Sequence, residues 1–162
     1  MSDGFMLWKT AHVLSASVLF GSGLGTAFFC WFGYRSAVSN RDIGTLRSTL
    51  KLTVLADLCL TTPAVLFQAA SGVLLMSMLG WPLMSAWSIA VWSMFVVIGA
   101  CWLPVVAIQI KLSKLAAAAP SIDSLPQGFH RQFRAWFALG VPAFTLIIVV
   151  FYLMVAKPLA VA

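Results

Sequence analysis

Four long apolar runs, separated by shorter polar stretches, set the pattern of this chain: Leu7–Tyr34, Leu52–Leu79, Trp87–Ile110 and Ala135–Ala156. A helix rises about 1.5 Å per residue, so a hydrocarbon core of about 30 Å takes roughly 20 residues to cross. Every run meets that length, and the first two exceed it, which predicts tilt or extension beyond the bilayer. None alternates polar and apolar positions as the strands of a membrane barrel do. A helix is the other structure that satisfies its own backbone in lipid. The pattern predicts an all-α integral membrane protein, an antiparallel bundle of four transmembrane helices forming one domain over residues 1–162.

The polar stretches orient the bundle. Arg35, Arg41, Arg47 and Lys51 follow the first run, and Lys111, Lys114, Arg131 and Arg134 follow the third. Both loops must lie on the same side. The excess of Lys and Arg in short cytoplasmic loops places them inside and both termini outside. Lys9 and Lys157 then fall near the outer surface, where long side chains can snorkel. The six-residue stretch Gly80–Ser85 predicts a tight antiparallel hairpin of the second and third helices. Ala116–Ala119 before Pro120 predicts that the third helix runs past the membrane and stops there. Trp8, Trp81, Trp87 and Tyr152 at the outer boundary, with Tyr34 and Trp136 at the inner one, read as an aromatic belt.

Composition agrees with this reading and removes some alternatives. The chain is 62% hydrophobic and 9% charged, against about 45–50% and 25% in soluble domains. The net charge of +6 would suggest nucleic acid if it were spread over a surface. Confined to two short loops, it fits anionic lipid headgroups, and nucleic-acid binding is set aside. Cys30, Cys59 and Cys101 lie inside apolar runs without metal-ligand spacing and read as packing residues. The N-terminus lacks the basic start of a cleavable signal and carries Asp3 and a histidine.

With depth assigned, candidate chemistry can be located. His12 falls one to two turns below the outer surface, and Lys9 lies three residues earlier on nearly the same face. Ser15, Ala16, Leu19, Gly23 and Thr26 lie within about 60° of it, giving a face of mostly small residues. Ser17, Gly21 and Gly25 make a second small face on the opposite side, which predicts close helix approach and a first helix at the centre of the bundle. On the second helix, Asp57 lies near the inner surface, too deep to pair with His12. Gln109 or Arg134 is its expected partner, and Gln68 is the second-helix polar group nearest the depth of His12. Pro63 frees a carbonyl near Cys59 that Thr61 or Thr62 can help satisfy. His130 reads as a solvated loop residue.

One histidine on a face of small residues suits an axial ligand to haem b, with Lys9 or Lys157 near a propionate and Met84 or Met76, by depth, as a second ligand. The same histidine with the outer methionines Met76, Met78, Met84 and Met154 suits copper(I). Hydrolase chemistry has little to work with: there is no second buried base, no carboxylate pair and no phosphate loop.

Several segments carry a resemblance. Leu7-Trp8-Lys9-Thr10-Ala11-His12-Val13-Leu14, Phe20-Gly21-Ser22-Gly23-Leu24-Gly25 and Cys101-Trp102-Leu103-Pro104-Val105-Val106 are similar to a bacterial family of predicted integral membrane proteins with no assigned activity. Leu139-Gly140-Val141-Pro142-Ala143-Phe144 and Met154-Val155-Ala156-Lys157-Pro158 fit it too. More distantly, Lys9-x-x-His12, and Thr61-Thr62-Pro63-Ala64 leading to Ser71-Gly72-Val73-Leu74, resemble HemJ-type protoporphyrinogen oxidases and the copper-resistance CopD membrane domain. That resemblance implies a haem-binding role for His12. The HemJ type also has a lysine early in the third helix, after a tryptophan. Here the stretch Trp81–Trp87 has none, a departure that bears on the oxidation rather than on haem binding. The expectation is a small bacterial inner-membrane protein that binds haem b through His12, with Lys9, Gln68 and Met84 around it, in a redox or haem-handling role. It would work with a membrane redox partner or as a homo-oligomer. The alternative is a copper-handling or structural subunit without enzymatic activity.

Overall fold

A computed structural model describes residues 3–156, and its regular structure there is helical. Helix α1 spans Asp3–Ser39, α2 Ile43–Ala56, α3 Thr62–Met78, α4 Ala86–Ala118 and α5 Phe129–Ala156. A single π-helical turn, Asp57–Thr61, joins α2 to α3, so Ile43–Met78 forms one continuous rod. The chain therefore has four helices long and apolar enough to cross a membrane, as the apolar runs predict. All four outrun those runs, and α4 ends at Ala118, just before Pro120.

Local chemistry explains the breaks. Asp42 caps α2, its carboxylate accepting from the Gly44 and Thr45 amides at 2.8 and 3.1 Å. Gly80 takes the left-handed conformation (φ 61°) that ends α3, and Ser85 caps α4 by accepting from the Ser88 amide. The π turn sits one residue before Thr62, whose amide reaches back to the Asp57 carbonyl. In a regular helix the ring of Pro63 would press on the carbonyl of Cys59. The wider turn immediately upstream accommodates it.

The close packing is concentrated at the end that carries the basic loops. Cys30, Ala37, Leu46, Leu50, Leu112, Ala116, Ile122, Phe129, Phe133 and Trp136 form one buried cluster. Tyr34 stacks on Phe133 with ring centroids 3.7 Å apart. Arg47, on α2 just after the first basic loop, donates to the carbonyls of Ala116 and Ala119 at the end of α4. Both basic loops thus share one end, and the positive-inside rule makes it the cytoplasmic one. His130 is not a solvated loop residue: it lies in the first turn of α5, half-buried and hydrogen-bonded to the Tyr34 hydroxyl. An α5 that begins at Phe129, ahead of the apolar run, is what carries it into the bundle.

Toward the other end the bundle opens. Helix α1 packs on α3, and α4 on α5, but α3 and α4 hardly approach each other despite their short connection. The hairpin is antiparallel without being closed. Two expectations about packing change accordingly. Gly21 and Gly25 face open space, so this side of α1 is not buried and α1 is not central on that side. The close approach is at Gly33, where an added Cβ would lie 2.6 Å from Thr49 Oγ1 and 2.7 Å from its Cγ2. Thr49 is buried and branched at Cβ, so it has little room to turn away. Gly33→Ala should force α1 from α2 and cost about 1–3 kcal/mol, measured by denaturant unfolding in detergent. Gly21→Ala should be close to neutral in the same assay. The aromatic belt is also smaller than expected. Trp8 and Tyr152 are exposed, but Trp87 and Trp136 are buried, and the Trp87 indole donates to the Leu153 carbonyl at 2.9 Å. An indole N–H inside a bundle needs such an acceptor.

Candidate functional site: a cavity between the two helix pairs

The divergence of α3 from α4 leaves a cavity of about 950 Å³, walled by α1, α3, α4 and α5 and lined mainly by apolar side chains. Cavities that hold small molecules run from about 300 to 1,000 Å³. It extends from Phe5, Lys9 and Trp81 at the outer end to Asp57, Gln109 and Trp136 at the edge of the buried cluster. The predicted His12 face lines it, through Ala16, Leu19, Gly23 and Thr26. Ser15 instead turns to α3 and donates to the Ala64 carbonyl.

His12 is held on both its backbone and its ring. Gln68 Nε2 donates to the His12 carbonyl at 2.8 Å. The ring Nδ1 lies 2.7 Å from Ser71 Oγ, and the Ser71 hydroxyl also contacts the Phe67 carbonyl one turn back. Serine has one hydroxyl hydrogen. A carbonyl can only accept, so that hydrogen goes to Phe67, and Ser71 Oγ accepts from Nδ1–H. With the hydrogens assigned in this way, the imidazole is the Nδ1–H tautomer, which leaves the Nε2 lone pair over. No described residue bonds Nε2, and the ring borders the cavity. Gly72 lies beside the ring, where an added Cβ would make ordinary contact with His12 Cε1 at 3.7 Å. A metal-binding histidine is usually fixed in this way, by a hydrogen bond at its other nitrogen.

The remaining expected residues separate. Lys9 lines the outer part of the cavity and is exposed. Gln68 lines it too, but its amide nitrogen is committed to the His12 backbone. Met76 and Met154 border the cavity on different helices. Met84 stands in the α3–α4 turn, 82% exposed, and is not part of the wall, because the turn carries it outward from the bundle. Met78 is exposed as well. Lys157 lies outside the described residues.

At the inner end, Asp57 meets Gln109 as expected, with Oδ2 accepting from Nε2 at 2.7 Å. The tryptophans were not foreseen. Trp102 Nε1 approaches Asp57 Oδ1 at 3.4 Å, and Trp136 Nε1 donates to Gln109 Oε1 at 3.1 Å. Trp136 carried an interfacial signal in the sequence, but nothing there aimed its N–H at Gln109. Ser71 was also missed as the histidine's partner, although its place three residues beyond Gln68 puts both on one face of α3. Among the described residues no three His, Cys, Asp or Glu side chains gather into a metal-ion site.

The family described as predicted integral membrane protein (DUF2269) matches residues 6–158. No curated protein and no solved structure matches the chain, so the likeness to HemJ-type oxidases and CopD domains rests on the quoted segments alone. With the match running through all four membrane helices and the cavity between them, the chain belongs to the DUF2269 family of predicted integral membrane proteins.

Proposed function

We propose that this multi-pass membrane protein binds a b-type haem in the cavity, with His12 Nε2 as an axial ligand. The observation that supports the reading is the His12 ring: Nδ1–H fixed on Ser71, and Nε2 unbonded beside a cavity large enough for a macrocycle. The donor set fits the group. Haem needs axial ligands and not a cluster of them, its faces suit apolar walls, and its propionates suit a cation at the outer end. Lys9 is that cation. Met76 and Met154 also line the cavity, and either would be a candidate to hold the iron together with His12. When bound, haem supplies one-electron redox chemistry. The chain's own part is to orient the imidazole through Ser71 and Gln68, and to keep water from the inner side through the buried cluster. The role follows as redox or haem handling in a bacterial inner membrane, the basic loops facing the cytoplasm.

The test is an absorbance spectrum of detergent-purified protein made with ample haem supply, oxidised and then reduced with dithionite. A Soret band that shifts on reduction is the expected result. A protein that stays colourless yet binds copper(I) would replace haem with copper. A protein that does neither and co-purifies with a partner would be a structural subunit.

A further inference from the structure

The inner end of the cavity contains an acid that has no counter-ion among the described residues. Asp57 is 7% exposed and lies within an apolar helix that crosses the membrane. Everything that reaches its carboxyl is a neutral donor: Gln109 Nε2 on α4 at 2.7 Å, Trp102 Nε1 on α4 at 3.4 Å, and the Thr61 hydroxyl one turn along its own helix. From α5, Trp136 contributes only by fixing Gln109 through its carbonyl oxygen. The polar side chain that α1 brings to the adjoining π turn is Ser22, bonded to the Thr61 hydroxyl at 3.1 Å. The ion pair found among the described residues, Arg41–Asp123, is on the surface. Lys51, Lys111 and Arg134, the cations nearest in sequence to Asp57, Gln109 and Trp136 respectively, are exposed. The other titratable residues lining the cavity, Lys9 and His12, sit toward its opposite end. Ser71, the partner of His12, is fourteen residues along the same rod from Asp57, about 21 Å away.

A carboxylate held in a membrane bundle without a cation is costly, and ionisable groups in that position mark proton and ion pathways. Access here is one-sided. Below Asp57 lies the buried cluster of Leu46, Leu50, Leu112 and Phe133, and above it the cavity leads to the outer end. The π turn starts at Asp57, and such turns often occur at functional positions.

We propose that Asp57 is a membrane-embedded proton-binding site, exchanging its proton with the outer aqueous phase through the cavity. The ligand is the proton itself. The O–H bond of the carboxylic acid breaks on release, the electron pair stays on the carboxylate held by Gln109 and Trp102, and water in the cavity takes the proton. The site does not depend on haem. If haem is also bound, a proton taken up at Asp57 would balance part of the charge of an added electron.

Infrared spectroscopy of the purified protein, with its cofactor content as isolated, tests this directly. The chain has four acidic side chains, and the described ones besides Asp57, namely Asp3, Asp42 and Asp123, are exposed. The background is therefore small. The expected spectrum at neutral pH contains a protonated-carboxyl C=O stretch that shifts in D2O, declines as the pH is raised and is missing in Asp57→Asn. Asparagine keeps the shape and the acceptor oxygen, so that variant should fold. If it does not, the D2O shift and pH titration of the wild type decide the question alone. A carboxyl that is ionised at neutral pH would overturn the proposal, since it would make Asp57 a fixed anion. A protonated band that never exchanges in D2O would overturn it equally, leaving a sealed structural acid. Neither outcome depends on whether a Soret band is present.

Discussion

With haem bound as proposed, His12→Ala should yield a protein that still extracts and unfolds as a four-helix bundle but lacks the Soret absorbance of the wild type. The substitution removes the Nε2 that faces the cavity, while the Gln68 bond to the backbone carbonyl of residue 12 remains available. The loss should be complete at any haem concentration that saturates the wild type. Ser71→Ala supplies the graded control. It leaves the ligand in place but frees Nδ1, and losing such an outer partner typically weakens metal affinity by about 10–100-fold. Ser71→Thr, which keeps an acceptor oxygen, should lie much nearer the wild type. Haem titration followed at the Soret band gives all three values. If His12→Ala binds haem as the wild type does, His12 is not the ligand.

Phe133→Ala should be the most destabilising single truncation in the chain. Its ring is fully buried, stacked against Tyr34, and borders Trp31 and Trp136 with centroids 6.2 and 5.7 Å away. Removing it leaves a void among rings that are themselves pinned, Tyr34 by His130 and Trp136 by Gln109. They cannot collapse into the space, so the loss belongs near the upper part of the range for such truncations, about 3–5 kcal/mol. Leu103→Ala is the matched contrast. Leu103 is 64% exposed on α4, facing the lipid or detergent on either side of unfolding, and its truncation should stay within about 0.5 kcal/mol. Unfolding of the two variants in denaturing detergent would measure the difference. Equal losses would mean that the packing is not concentrated at the basic-loop end.

Much of the candidate site could be anticipated residue by residue. The small face around His12 is a matter of angular spacing on one helix, and it does line the cavity. The Asp57–Gln109 pair follows from depth, because two polar groups at one level in lipid seek each other. Met84 was assigned by depth too, and there the argument failed. Depth says how far along the membrane normal a residue lies, not whether its turn points inward. Gly21 and Gly25 failed for a related reason. A small-xxx-small spacing allows a close approach on that face, but whether a neighbour arrives there depends on where the other helices go. In this bundle the neighbour meets α1 three turns further on, at Gly33 against Thr49.

The chain alone determined the number of spans, their antiparallel order, and the grouping of both basic loops at one end. Each of these follows from a local cost: unsatisfied backbone or charge in hydrocarbon cannot be offset by anything distant. The tertiary structure decided what no local cost can specify. It set where the helices close, at the cluster around Phe133, and where they part, between α3 and α4. It also chose Ser71 over Gln68 for the His12 ring, and so left Nε2 to the cavity. Packing in lipid is driven by shape and by side-chain hydrogen bonds between helices, since apolar residues gain little by leaving the tails for one another. Those contacts exist only once all four helices are in place.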